Sequence, residues 1–354
     1  MSNTHTQEQT SIRSIDETID TYFLRNIDDA AQISGYYEQL WRDMHVLIKS
    51  GGKRLRPRMT LRAYAAFGGK ESASVVSIAT SQELLHMSLL IHDDVIDRDY
   101  VRYGVDNIAG KYFKTHYAHV ADESSRMHYA SSAAILAGDL LISGSYRMIA
   151  ESGASAEAIA SVMAIHGRSI FDVAGGELID TESAFRELGE VDARTVALYK
   201  TASYTFMSPL TIGATLAGAS QDTLDKLGRF AQSLGVAYQL RDDVIGIFGD
   251  ERTTGKPTIG DIREGKHTYM VEEFYSLATS EQKKRFEQHF GDQSVTQKQA
   301  DEIKNILIES GALKSTENTI SAYMTIAEEE LSLIAEGDVQ QLRELIAVVT
   351  KRDK

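Results

Sequence analysis

Apolar residues in this chain recur at the three- and four-residue spacings of helical faces, and strict alternation is scarce. Ile78, Leu85, Leu89 and Ile96 stand 7, 4 and 7 residues apart. The stretch ESASVVSIATSQELLHMSLLIHDD therefore predicts one long helix, buried along that face, with Ser72 as its N-cap. SSAAILAGDLLISGSYRMIA, LDKLGRFAQSLGVAYQLRDDVIGIFG and TENTISAYMTIAEEELSLIAEG read the same way. The breakers gather in GGKRLRP (51–57) and ERTTGKPTIGDIREGKHT (251–268), which are read as loops or helix starts. The expectation is an all-α fold, a single large antiparallel helical bundle. Only three prolines occur, and neither a Pro/Gly/Ser-rich linker nor a fixed-period repeat divides the chain. One domain over 13–354 follows, after a polar tail of residues 1–12 expected to be disordered.

Charge changes this picture little but narrows the function. With 37 basic and 51 acidic side chains the formal charge is −14, which argues against broad nucleic-acid binding and leaves carboxylates to spare for metal. There is no cysteine, so disulfides, thiolate catalysis and cysteine-ligated zinc are excluded. The start lacks the basic-then-apolar layout of a signal peptide, and no run approaches 18 uninterrupted apolar residues. A cytoplasmic protein with no transmembrane segment is expected.

Two places hold clustered aspartates at the end of an apolar helical stretch. In DDVID, Asp93 and Asp97 are one turn apart on one face and Asp94 flanks them. Like charges at that spacing repel, so a cation has to offset them, and oxygen ligands on a rigid helix suit Mg²⁺ completed by substrate phosphate. One such motif reads equally well as a solvated helix end. YQLRDD repeats the theme with Asp242 and Asp243, and two such helices could clamp a diphosphate through several metal ions. Asp180 in GGELID, with Glu177 three residues before it, is a weaker candidate.

Cations complement these carboxylates. GGKRLRP collects Lys53, Arg54 and Arg56 beside two glycines, a candidate anion site. Lys256 in GKP and Lys266 in GKHT follow the second acidic cluster, and Lys200-Thr201 lies within another helical pattern. His86 stands seven residues before Asp93 on the same face, which favours an anion-binding role over that of a satisfied core histidine.

In this order, GGKRLRP, His86, DDVID with Arg102, GELID, KT at 200, YQLRDD, GKP and D…GKHT, the chain resembles the trans-isoprenyl diphosphate synthases. The resemblance covers roughly residues 50 to 270 and implies the isoprenoid synthase fold, with helices around a central cavity. It implies condensation of isopentenyl diphosphate with an allylic diphosphate, by a homodimer using about three Mg²⁺ ions, with Mn²⁺ able to replace them. Asp93 and Asp97 would bridge two ions and Asp242 would bind another, with Asp94, Asp180 and Asp243 in support. Arg102, Lys200 and Lys256 would hold the allylic diphosphate, with Lys266 nearby, while Thr201 and Gln239 present oxygen dipoles to the allylic cation. Isopentenyl diphosphate would sit on Lys53, Arg56 and His86, its double bond attacking and its proton leaving with the diphosphate.

Two positions depart from the family pattern. Tyr103 stands where a second arginine would contact isopentenyl diphosphate, leaving Arg54 or the basic tail TKRDK (350–354) as substitutes. Gly246 stands where the second motif usually ends in aspartate. In the family, residues four and five before the first aspartate floor the chain cavity. Here they are Leu89 and Ser88, neither aromatic, so geranylgeranyl (C20) or somewhat longer products are expected over farnesyl (C15). A class I terpene cyclase would share DDxxD, but its second motif is incomplete here and Lys53, Arg56 and His86 would be superfluous. A non-catalytic partner subunit of a polyprenyl synthase would be expected to have lost aspartates or lysines. A lipid-binding bundle explains the apolar faces only.

Overall fold

The structure is a computed structural model that describes residues 2–183, 185–186, 190–249 and 260–350, with side chains from residue 10 to residue 347 of these. It is all-α apart from one two-residue-strand hairpin. In chain order the elements are α1 (Ser2–Ala31), α2 (Gly35–Lys49), α3 (Leu55–Ala66), α4 (Ala73–Ile96), β1 (Val101–Arg102), β2 (Val105–Asp106) and α5 (Ile108–Lys111). A short π-helical turn (Tyr112–His116) leads to α6 (Glu123–Ala150) and α7 (Ala156–Ser183). Next come α8 (Ala193–Val196), a π-helical segment (Ala197–Met207), α9 (Ser208–Leu216) and α10 (Gln221–Phe248). The remaining helices are α11 (Gly260–Glu264), α12 (Tyr269–Leu277), α13 (Ser280–Glu287), α14 (Gln297–Glu309), α15 (Ala312–Ser332) and α16 (Gln340–Thr350).

The residues group into two compact units, Met1–Leu61 with Lys70–Met163 and Arg62–Gly69 with Ala164–Lys354, where the sequence reads as one domain. Helix α1 takes in most of the stretch expected to be a disordered tail.

In the first unit α4 and α6 pack most extensively. Helix α6 offers the small buried residues Ala130, Ala134, Ala137 and Gly138, which let the two backbones approach. Helix α4 starts where expected, after Ser72, but is not one-sided. Thr80, Ser81, Gln82 and Glu83 are buried along with Ile78 and Leu85, whereas Ile96, at the end of the apolar stripe, is 45% exposed. A helix covered on all sides is a core helix, so its apolar period marks only part of its contacts. Helices α4 and α6 are also long and apolar enough to cross a membrane, with 72% and 50% of their most apolar windows buried inside the fold.

In the second unit α10 is the central helix. It packs against the π-helical segment and α15, burying Leu227, Phe230, Leu234, Leu240 and Ile247. Its N-cap is Ser220, whose hydroxyl accepts from the Thr223 amide and satisfies one of the free N–H groups of the first turn.

Candidate active site

The last turn of α4 sorts its carboxylates by depth. Asp94 is buried, Asp93 is half-buried, and Asp97, the C-cap, is exposed. Arg102 on β1 reaches the inner two: its Nε donates to Asp94 Oδ1 at 2.7 Å and its Nη2 to Asp93 Oδ2 at 3.2 Å. Asp94 Oδ2 is buried without a hydrogen-bond partner. Burial pushes the Asp94 carboxyl up to about 6, against the lowering pull of Arg102.

The loop before α3 supplies the other cations of this unit. Lys53 is exposed and Arg56 buried. Arg54, at φ 50°, turns inward instead of toward a ligand. It donates to Asp16 Oδ1 (2.9 Å), Glu83 Oε1 (3.0 Å) and the carbonyls of Ile48 (2.9 Å) and Gly51 (3.1 Å). This corrects the expectation that Arg54 could stand in for the missing arginine, because four of its roughly five N–H donors are spent inside the fold. His86 is held well below the usual imidazole range by burial first, then by Arg56, Arg102 and Arg54. Without a ligand it is neutral at neutral pH, able both to donate and to accept a hydrogen bond. Ser88 is buried and Leu89 half-buried on the same helix.

The second unit carries its own set. Lys200 lies in the π-helical segment, a wide turn of the kind frequent at functional sites. Its Nζ is 3.0 Å from Glu177 Oε2 and 2.6 Å from Asp180 Oδ2, both on α7. Thr201 Oγ1 donates to Gln239 Oε1 at 2.6 Å, and Gln239 Nε2 donates to Asp243 Oδ1 at 2.8 Å. Asp243 is buried, which pushes its carboxyl up to about 7 although Lys266 and Gln239 pull it down. Burial works to lower the Lys266 ammonium, but Asp243, Asp180 and Asp261 outweigh it and hold it above its usual value. Asp242 is half-buried beside them in sequence. Lys256 and the end of the basic tail, 351–354, lie outside the described residues.

Gly246 has a steric counterpart. A Cβ there would lie 2.0 Å from Asp261 Oδ2, so the Asp261 side chain fills the space that a larger residue at 246 would need. In the sequence Asp261 stands out only as the D of D…GKHT, and Glu83 and Asp16 are not marked there as anchors of Arg54. A lone glutamate inside the apolar run of α4 is the signal that could have found Glu83.

The raised Asp243 carboxyl has a readable consequence. It keeps its proton in the fold at pH values where the unfolded chain, near 3.8, has lost it. Its contribution is therefore favourable at low pH and declines as pH rises from about 4 to about 7. In metal-free protein, Asp243→Asn, which still accepts from Gln239, is expected to flatten the fall of Tm between pH 5 and 7. Parallel melting curves for the two proteins across that range would refute it.

Among the described residues no three carboxylates or imidazoles converge closely enough to hold an ion by themselves. Paired hard oxygens such as Asp93 and Asp97 nonetheless fit magnesium, which takes one or two carboxylates and completes its shell with water and phosphate.

The chain belongs to the polyprenyl synthetase family, whose model matches residues 38–307. It is 33% identical over 310 residues to the geranylfarnesyl diphosphate synthase of Aeropyrum pernix, covering 83% of this chain and 87% of that one. It is 31% identical over 288 residues to the geranylgeranyl diphosphate synthase of Sulfolobus acidocaldarius, covering 79% and 82%. Among solved structures, geranylgeranyl pyrophosphate synthase from Corynebacterium glutamicum, complexed with isoprenyl diphosphate and magnesium, superposes with a TM-score of 0.87. That pair is 30% identical over 96% of this chain and 97% of the other. The protein is thus a prenyltransferase of isoprenoid biosynthesis, in a family that uses isopentenyl and allylic diphosphates and a divalent metal.

Proposed function

We propose that the protein condenses isopentenyl diphosphate with an allylic diphosphate to a linear all-trans prenyl diphosphate of C20 or longer, using Mg²⁺. The single observation that carries this reading is the end of α4, where Asp93 and Asp94 rest on Arg102. The second unit repeats that pairing, with Lys200 on Glu177 and Asp180. A magnesium diphosphate brings both signs of charge, so it can enter each set without leaving either partner unpaired.

In this reading Asp93, Asp97 and Asp242 would hold about three Mg²⁺ ions, with Asp94, Asp180 and Asp243 in support. When bound, the metal supplies positive charge where the leaving diphosphate becomes more negative. Arg102 and Lys200, with Lys266, turn from their carboxylates to that diphosphate, and Lys256 is a further cation for it. Thr201 and Gln239 orient their oxygens toward the allylic carbon as its C–O bond breaks and the electron pair leaves with the oxygen. Lys53, Arg56 and His86 fix isopentenyl diphosphate, whose double bond forms the new C–C bond. The departing diphosphate takes the proton, so no side-chain base is needed.

Chain length rests on α4. Ser88 is buried with an unpartnered hydroxyl and Leu89 is half-buried, and neither is aromatic. The names of the relatives, geranylgeranyl and geranylfarnesyl synthases, support C20 or longer. Pairing with a second copy is supported by Phe171 and Leu178, one face of α7 apart by seven residues and 70% and 64% exposed. Light scattering that reads a monomer would count against it.

The test is incubation with isopentenyl diphosphate, Mg²⁺ and each allylic primer in turn, with products sized by mass spectrometry. Linear diphosphates of C20 or more that vanish with EDTA are expected, and Ser88→Phe should shorten them. Cyclic hydrocarbon from a primer alone would turn the case to a cyclase, and an unchanged product from Ser88→Phe would remove the floor argument.

A further inference from the structure

The β1–β2 hairpin carries Arg102 onto the aspartates and, one residue later, lays a tyrosine on the cation loop. Its two turn residues, Tyr103 and Gly104, both have positive φ, 54° and 75°. A two-residue turn of this kind favours Asn-Gly, and an aromatic residue in the left-handed region is strained. Something must hold Tyr103 there, and its contact with Gly51 does. A Cβ on Gly51 would lie 2.7 Å from Tyr103 Cγ, 2.8 Å from Cδ1 and 3.1 Å from Cδ2, so the ring lies directly on the glycine backbone.

That backbone belongs to the loop that presents Lys53 and leads into Arg56. Its other side is fixed, since the Gly51 carbonyl accepts from Arg54, which is tied to Asp16 and Glu83. Tyr103 as a whole remains 42% exposed. The electrostatic surroundings of its hydroxyl include Glu83, Arg102, Arg56 and Arg54, the same groups that border the cation loop.

We propose that Tyr103 is a positioning residue for isopentenyl diphosphate: its ring clamps the 51–53 loop from the hairpin side and sets where Lys53 and Arg56 meet that diphosphate. The inference rests on the prenyl-transfer reading and deepens it. Tyr103 takes a position that the sequence reads as a lost arginine contact, and it acts there through packing and not through charge.

Tyr103→Asn removes the ring and keeps the turn, because Asn-Gly suits that geometry. Its KM for isopentenyl diphosphate is expected to rise about tenfold, with the allylic KM within about twofold and kcat within about threefold of the parent. Tyr103→Phe should bring the KM for isopentenyl diphosphate back to within about threefold, since it restores the ring alone. Gly51→Ala, which displaces the ring without touching Tyr103, should repeat the Tyr103→Asn result. An unchanged KM for isopentenyl diphosphate in Tyr103→Asn would overturn the assignment. So would an equal rise in both KM values, or a Phe variant as poor as the Asn variant. A parent protein with no isopentenyl-dependent turnover would sink the prenyl-transfer reading itself, whereas an active parent with an indifferent Tyr103→Asn variant sinks only this inference.

Discussion

Asp93→Asn is expected to lower kcat by about 10³-fold, a loss of about 4 kcal/mol of transition-state stabilisation, while leaving the fold intact. The carboxylate is half-buried and its Oδ2 accepts from Arg102 Nη2 at 3.2 Å. An asparagine oxygen can keep that bond, so the change removes charge and little packing. The magnesium-dependent signature should go with it. In the parent, Mg²⁺ with diphosphate should raise Tm because they bind the folded state, and Asp93→Asn should lose most of that rise. Asp94→Asn should cost far less in rate, because Asp94 is buried and its Oδ1 is taken by Arg102. A rate within tenfold of the parent at saturating Mg²⁺, or an unchanged metal-induced shift, would remove Asp93 from the metal site.

The contrast between Asp93 and Asp94 shows where sequence reading stops. Spacing alone puts Asp93 and Asp97 on one face of α4, and the helix that carries them begins after Ser72 as the pattern predicts. Spacing does not say that Asp94 would be turned inward, since that depends on a hairpin seven residues further on bringing Arg102 back. Period failed in another way along α4. Thr80, Ser81, Gln82 and Glu83 are polar in the sequence and buried in the fold, because α6 meets α4 with small residues and other helices cover the rest. The π-helical segment was read simply as helix, since a turn widened by one residue leaves no mark in a 3.6-residue pattern. Gly246 is legible in the sequence as a departure, but its neighbour, the Asp261 carboxylate, appears only in the structure. Local pattern therefore marks the long helices α4, α6, α10 and α15 and offers candidate carboxylates and cations at their ends. What it could not find were the pairings made by residues distant in the chain.

Arg54 is the sharpest of these, and its replacement should act on the fold more than on the substrate. It and Glu83 form an ion pair with side-chain exposures of 9% and 3%. A pair so buried adds little net stability while whole, because both ions have lost their water, but removing one partner strands the other. Arg54→Met should therefore cost about 3–5 kcal/mol by leaving Glu83 charged and buried and by freeing the Ile48 and Gly51 carbonyls. For a chain of this length the per-residue unfolding entropy converts that loss to a fall in Tm of about 4–7 °C. Adding Glu83→Leu to Arg54→Met removes the stranded carboxylate and should recover part of the loss, a coupling that a double-mutant cycle reads directly. If Arg54 were instead a ligand for isopentenyl diphosphate, Arg54→Met would raise that KM with Tm nearly unchanged. The added Glu83→Leu would then recover nothing.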